Sequence, residues 1–162
     1  MKSRLPKALR AAVIAVAVLA VAGVAGTARE AAAALPSGNT VEQWNKIAEN
    51  TVVGSGAFQN EGLIYMAYES AAVYDAVVAI EGGYASYGPA IAAPTGSSTD
   101  AAVIEAAYRI LVNYFPSQAS TLGSLYAEAL ALIPDGTARS DGQAVGLAAR
   151  TTSSTSAAAM AD

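Results

Sequence analysis

The sequence contains no cysteine and no histidine. Without cysteine there is no disulfide, so a fold has to rest on its hydrophobic core. Without histidine the commonest general base and the commonest transition-metal ligand are missing. Ser–His and Cys–His nucleophile pairs cannot form within the chain. Basic residues are also scarce, with 9 Lys and Arg against 13 Asp and Glu. Five of those nine (Lys2, Arg4, Lys7, Arg10 and Arg29) fall in the first 34 residues. From residue 35 onward four basic side chains face twelve acidic ones, a net charge of −8. Such a surface repels a phosphate backbone and has no Lys/Arg cluster for anionic lipid. No nucleic-acid partner is expected.

What is present begins with a leader. "MKSRLPKALR" is basic, "AAVIAVAVLAVAGVAG" is apolar, and "AREAAAALPSG" offers small residues for cleavage. That order is a secretory signal peptide, with cleavage expected near Ala34. The alternative is an uncleaved anchor, but the apolar run is short for a full membrane span. The expected product is secreted, with no stable membrane association after cleavage. About 128 residues remain, enough for one domain that buries roughly 65% of its unfolded surface.

Where this remainder is periodic, the period is helical. Thr40 and Gln43 fit a capping box, and Val41, Trp44, Ile47 and Ala48 form one face of a first helix to about Asn50. "VVGSGAFQN" reads as a loop. A second helix is expected from about Gly62 to Ile80, ended by Gly82 and Gly83. A connector follows, then a third helix from about Asp100 to Phe115, broken at Pro116. The fourth runs from about Ser117 to Leu132 and stops at "PDG". A fifth, weaker helix starts near Thr137, where Gly142 and Gly146 cost roughly 1 kcal/mol each relative to alanine. Ile104, Tyr108, Leu111 and Phe115 repeat the spacing of Leu122, Tyr126, Ala129 and Ile133, the stripe of a packed helix. The expected fold class is all-α, a helical bundle of four to five helices after the signal helix.

The polar residues of the second helix are the candidates for chemistry. Glu61, Glu69 and Asp75 could serve as an acid/base pair or as metal ligands. Helix-borne di-iron sites need Glu-x-x-His pairs, and none exists here. Glu69 and Asp75 also point about 120° apart around a helix. The structural reading is therefore preferred: Tyr65, Tyr68 and Tyr74 pack with a polar handle, and a buried Asp75 needs a Tyr hydroxyl or a backbone amide as donor. By angle the helix carries bulky residues on one side (Leu63, Ala67, Ser70, Tyr74, Val77). An alanine seam lies on the other (Tyr65, Glu69, Ala72, Ala76, Ala79). Apolar on both sides, it is expected to be the central helix. "GSG" at Gly54–Gly56 lacks the strand and the Gly-Lys-Ser/Thr of a phosphate loop.

Taken together, "VEQWNKIAENTV", "GLIYMAYESAAVYDAVVAIEGGYASYG" and "AAVIEAAYRILVNYFPSQASTLGSLYAEALALIPDG" resemble the N-terminal helical part of bacterial vanadium-dependent haloperoxidase-like proteins. These belong to the type-2 phosphatidic acid phosphatase superfamily. The resemblance covers about residues 41–148. It implies an all-α fold and an oxyanion site for vanadate or phosphate. In the family that site uses a Lys before an Arg-Pro, a Pro-Ser-Gly-His segment, and a Ser-Arg followed by His and Asp. Those cations neutralise the oxyanion while amide and Ser donors cradle it. None of these motifs carries over. Pro36-Ser37-Gly38 is followed by Asn39, and Lys46 has no Arg-Pro partner. No catalytic, cofactor-binding or metal residue is assigned, and vanadate or phosphate is expected only in a full-length relative.

The tail "RTTSSTSAAAMAD" breaks the helical pattern after Arg150. With CGN codons for Arg and TCN for Ser, a shifted frame permits the family's Arg-x-x-Asp-Gly at positions 157–161. The domain expectation is thus a signal peptide at 1–34, a helical domain at 35–150, and a frameshifted or disordered tail at 151–162. The functional expectation is the scaffold part of a secreted haloperoxidase- or phosphatase-like enzyme, truncated and inactive alone. It could self-associate through bare apolar helix faces. The alternative is a self-contained secreted binding module without catalysis.

Overall fold

The computed structural model describes residues 34–57 and 59–159, with side chains as far as Arg150. The expected signal peptide lies outside the described residues except for Ala34, and so do residues 160–162 of the tail. Among the described residues there are five α-helices and no strand, so the chain is an all-α bundle. We label them α1 (Thr40–Ser55), α2 (Gln59–Glu81), α3 (Thr99–Tyr114), α4 (Ala119–Ala131) and α5 (Thr137–Ala159). A 3-10 turn, Pro116–Gln118, joins α3 to α4, with Pro116 at its first position.

α1 is capped one residue earlier than predicted. Asn39 is the N-cap: its side chain accepts from the Glu42 amide, and Glu42 accepts from the Asn39 amide. Thr40 instead donates to Asp100 Oδ1 at 2.6 Å, tying the start of α1 to the start of α3. The predicted loop at Val52–Ser55 is the last turn of α1, closed by Gly56 in the left-handed conformation at φ 70°. Thus "GSG" is a helix end. α2 ends as expected at Gly82, also left-handed at φ 72°, whose amide returns to the Val78 carbonyl.

The central helix is α3, not α2. It packs against each of the other four helices, and every residue from Ala101 to Ala107 is buried. α2 is buried on its seam side only, at Gly62, Glu69, Ala72, Val73, Asp75 and Ala76. The other side is open toward its N-terminal end, with Leu63 66% exposed and its neighbour Ile64 49%, while Val77 packs on the core. The seam wins because alanines let the α2 backbone approach α3 and α5 closely, whereas bulky side chains hold helices apart. α2 is long and apolar enough to cross a membrane by length and composition alone. Here its seam side belongs to the bundle core.

The core has two parts. One is built from large side chains: Trp44, Ile47, Ile104, Leu111, Phe115, Leu122 and Leu125. Each such buried aliphatic or aromatic side chain contributes about 1.5–3 kcal/mol. The repeated stripes meet here, and the matched residues Tyr108 and Tyr126 stack at 4.3 Å between ring centroids. The second part is alanine-rich and joins α2, α3 and α5 through Ala72, Ala76, Ala102, Ala106, Ile110, Val145 and Ala149.

Gly142 and Gly146 explain how α5 fits. A Cβ on Gly142 would lie 2.3 Å from the Ser98 carbonyl oxygen, and one on Gly146 would lie 2.3 Å from that of Ala102. These glycines let α5 press its backbone onto α3. Their loss of helix propensity is offset by that contact. α5 also runs on past Arg150 to Ala159, beyond the point where the sequence pattern breaks.

Candidate functional site

Among the described residues three carboxylates are buried: Glu69, Asp75 and Glu105. Burying an ionised carboxylate is costly unless it is paired or hydrogen-bonded. Their surroundings therefore say what each one does.

Asp75 is 1% exposed and faces the connector after α2. Its Oδ1 accepts from the Tyr87 amide at 2.7 Å and its Oδ2 from the Gly88 amide at 3.0 Å. The donors are backbone amides, one of the two solutions the sequence allows. Its neighbour Tyr74 donates to the Ala85 carbonyl at 3.0 Å and packs on the Tyr87 ring. Tyr74 and Asp75 together clamp residues 85–88 onto the outside of α2. The clamp leaves Tyr84 and Tyr87 exposed.

Glu105 anchors a polar hub between α3, α4 and α5. It accepts from Arg109 Nε at 2.6 Å, from the Tyr126 hydroxyl, and from Gln143 Nε2 at 3.4 Å. Gln143 also donates to the Tyr126 oxygen at 2.8 Å. Burial, and then the carboxylate it donates to, push the Tyr126 phenol up to about 12. The hydrogen bond to Glu105 raises the Arg109 guanidinium. Both oxygens of Glu105 are occupied, so the hub fastens three helices. The sequence reading did not single it out. The one local signal was the i, i+4 spacing of Glu105 and Arg109, which is common on solvent-facing helix surfaces.

Glu69 differs from both. It is 0% exposed, its Oε1 has no hydrogen-bond partner, and its Oε2 has only the Ser70 hydroxyl at 3.4 Å. Burial raises its carboxyl from 4.5 to about 7, with Ser70 pulling back slightly. Glu69 and Asp75 do not form a pair: one sits in the alanine seam, the other holds the connector. Glu61 lies on the surface and accepts from Tyr65. The rings of Tyr65 and Tyr68 lie against Tyr114, and that of Tyr65 also meets Phe115 edge-on at 5.1 Å.

An oxyanion would need convergent cations. Lys46 pairs with Glu49, and Arg109 with Glu105. Arg139 pairs with Asp135 and caps the carbonyls of Leu130 and Ile133. Arg150 reaches Asn113 Oδ1 at 3.4 Å. Each is engaged in a different place, so these residues do not fit a vanadate or phosphate cradle. No group of three or more metal-ligating side chains occurs among the described residues.

Two hollows remain. One of about 160 Å³ lies between α1 and α4, bordered by Ile47, Asn50, Thr51, Gln118, Leu122 and Leu125, with Ala34 and Pro36 at its edge. The other, about 470 Å³, is a shallow groove on the open face of α2. It is lined by Ala67, Ser70, Ala71, Tyr74 and Tyr87. No protein-family model matches the chain, and neither does any curated protein or solved structure with which it was compared.

Proposed function

We propose that this chain is the helical scaffold part of a secreted protein of the vanadium-dependent haloperoxidase and phosphatase-like class. On this reading its oxyanion motifs lie outside the present sequence, and it has no catalysis of its own. The observation that carries the reading is the two-sidedness of α2. Its alanine seam is packed, while Leu63, Ile64 and Ala67 stand open beside a 470 Å³ apolar groove. An open, uncharged helix face next to a rigidly clamped connector suits a further layer of protein. The commitment of Asp75 and Glu105 to internal hydrogen bonds supports a scaffold role as well.

The test is turnover. The purified chain, supplied with vanadate, is assayed for bromide oxidation by peroxide and for hydrolysis of a phosphate monoester. The expected result is no rate above vanadate alone. Clear turnover of either kind overturns the scaffold reading.

A second reading is a self-contained secreted binding module. The exposed ring of Tyr87, whose amide the Asp75 clamp holds, favours it, with exposed Tyr84 nearby in sequence. Fixed tyrosines contribute contact area at low entropic cost. The readings separate in solution. Concentration-dependent self-association fits a bare scaffold face, whereas a monomer that melts cooperatively at all concentrations fits the module.

A further inference from the structure

Among the described residues, Glu69 is the one buried carboxylate that lacks a close hydrogen-bond partner. Its neighbours along the α2 seam, Ala72 and Ala76, are fully buried and pack into a cluster with Ala102, Ala106, Ile110, Val145 and Ala149. Its Oε1 is without a partner, and Ser70 reaches its Oε2 only at 3.4 Å. Ser70 also lines the open groove on the outer face of α2, so its hydroxyl links the buried carboxyl to the side from which water arrives.

The two halves of α2 are held differently. The C-terminal half is fastened by the Asp75 clamp and by the Thr99 hydroxyl, which donates to Glu81. Among the described residues, the polar and aromatic pairs that hold the N-terminal half to α3 are ring contacts: Tyr65 on Tyr114 and Phe115, and Tyr68 on Tyr114. Gly62 seats the same half against Val52 of α1. Such contacts slide apart more readily than buried charge-assisted hydrogen bonds.

We propose that Glu69 is a proton-operated latch: protonated, it lets residues 59–70 of α2 close on α3, and ionised, it opens that half while residues 71–81 stay docked. The inference stands on the burial of Glu69 and does not depend on the family reading above. Ionisation places an unpaired charge inside the bundle, and opening toward Ser70 and the groove lets water reach it. Protonation closes the seam again.

No other described group near this half of α2 supplies the switch. α2 itself brings the Tyr65 and Tyr68 phenols and Glu61, and Tyr65 is raised first by its hydrogen bond to Glu61. α3 brings Tyr114, raised by burial, and further along Glu105 and Arg109, which are paired with each other. α1 brings Glu42, whose side chain is used in its own cap, and Lys46 and Glu49, joined on the surface. α5 brings Arg150, which reaches Asn113, and residues 151–159 contain no ionisable side chain. The chain has no histidine to titrate near neutrality.

The direction follows from the carboxyl's elevation from 4.5 to about 7. Between those values the closed form keeps its proton while the open form has lost it, so closure weakens as pH rises. The contribution is complete below 4.5 and gone above about 7.

The test is amide hydrogen exchange of the whole chain from pH 5 to pH 8, each rate divided by the intrinsic rate at that pH. Protection of residues 59–70 should fall about tenfold per pH unit up to neutrality and then level off, while residues 73–81 hold steady. In Glu69→Gln the slope should vanish. Should that variant fail to fold, Glu69→Leu, which keeps the seam apolar, should stay closed at every pH. A wild-type segment whose protection ignores pH, or a variant that keeps the wild-type slope, overturns the latch.

Discussion

Replacing Gly146 with alanine should cost the protein about 2 kcal/mol of stability, although alanine is the better helix former by roughly 1 kcal/mol. The added methyl would lie 2.3 Å from the Ala102 oxygen, 2.8 Å from the Glu105 Cβ and 3.0 Å from the Ala106 nitrogen. Two of those three atoms are backbone of the central helix. No rotamer change can relieve them, so α5 must lift off α3. Gly142→Ala meets the Ser98 oxygen at the same 2.3 Å, and the double variant should lose more than either single one. Gly123→Ala is the control. It sits within α4, where the nearest atom to an added Cβ is the Tyr108 hydroxyl at 4.0 Å. There the helix-propensity gain is unopposed, and the melting temperature should rise. Thermal melts of the three single variants check both signs at once. A Gly146→Ala protein as stable as wild type would mean that α5 does not lie against α3 as described.

Asp75→Ala should be comparably damaging or worse, at about 3–5 kcal/mol, from two charge-assisted hydrogen bonds worth roughly 1.5–3 kcal/mol each. The Tyr87 and Gly88 amides would lose their acceptors, and the methyl would leave space in a buried site. A domain of this size has only about 5–15 kcal/mol in hand. The melting temperature should fall by on the order of 10 °C. The loss should start locally, so limited proteolysis should cut first between 82 and 90, while the wild type resists there. Asp75→Asn keeps one acceptor oxygen but turns an NH₂ group toward an amide donor, so it should recover only part of the loss. If Asp75 were instead a catalytic or metal-binding group, its removal would leave the connector intact and the melt unchanged.

Much of the architecture was legible from periodicity. The Gly82–Gly83 stop, the Phe-Pro break and the twin stripes of α3 and α4 are local signals, and each is found where expected. Other features depend on partners that a linear pattern does not name. Asn39–Glu42 and Thr40–Gln43 both have capping-box spacing, and the choice between them follows from Thr40 being drawn to Asp100. The burial of α2 was misassigned because two apolar faces compete, and the close approach of α3 and α5 decides in favour of alanines. Gly142 and Gly146 read as weak points in a helix because propensity is local, whereas the carbonyls they admit belong to residues some forty positions earlier. At the site, the backbone donors of Asp75 followed from its need for partners. Glu105 was missed because its hub draws on Tyr126 and Gln143, 21 and 38 residues away along the chain.

On the proposed reading these helices form the scaffold of a larger oxyanion-binding enzyme. The deciding measurement is to read the gene through the codon for Asp162 and several hundred bases beyond, in all three frames. The scaffold proposal expects a Lys followed by Arg-Pro, a Pro-Ser-Gly-His segment and a Ser-Arg with a downstream His, in order, in one frame. Unrelated sequence in every frame would refute that proposal and leave the binding module as the reading to pursue.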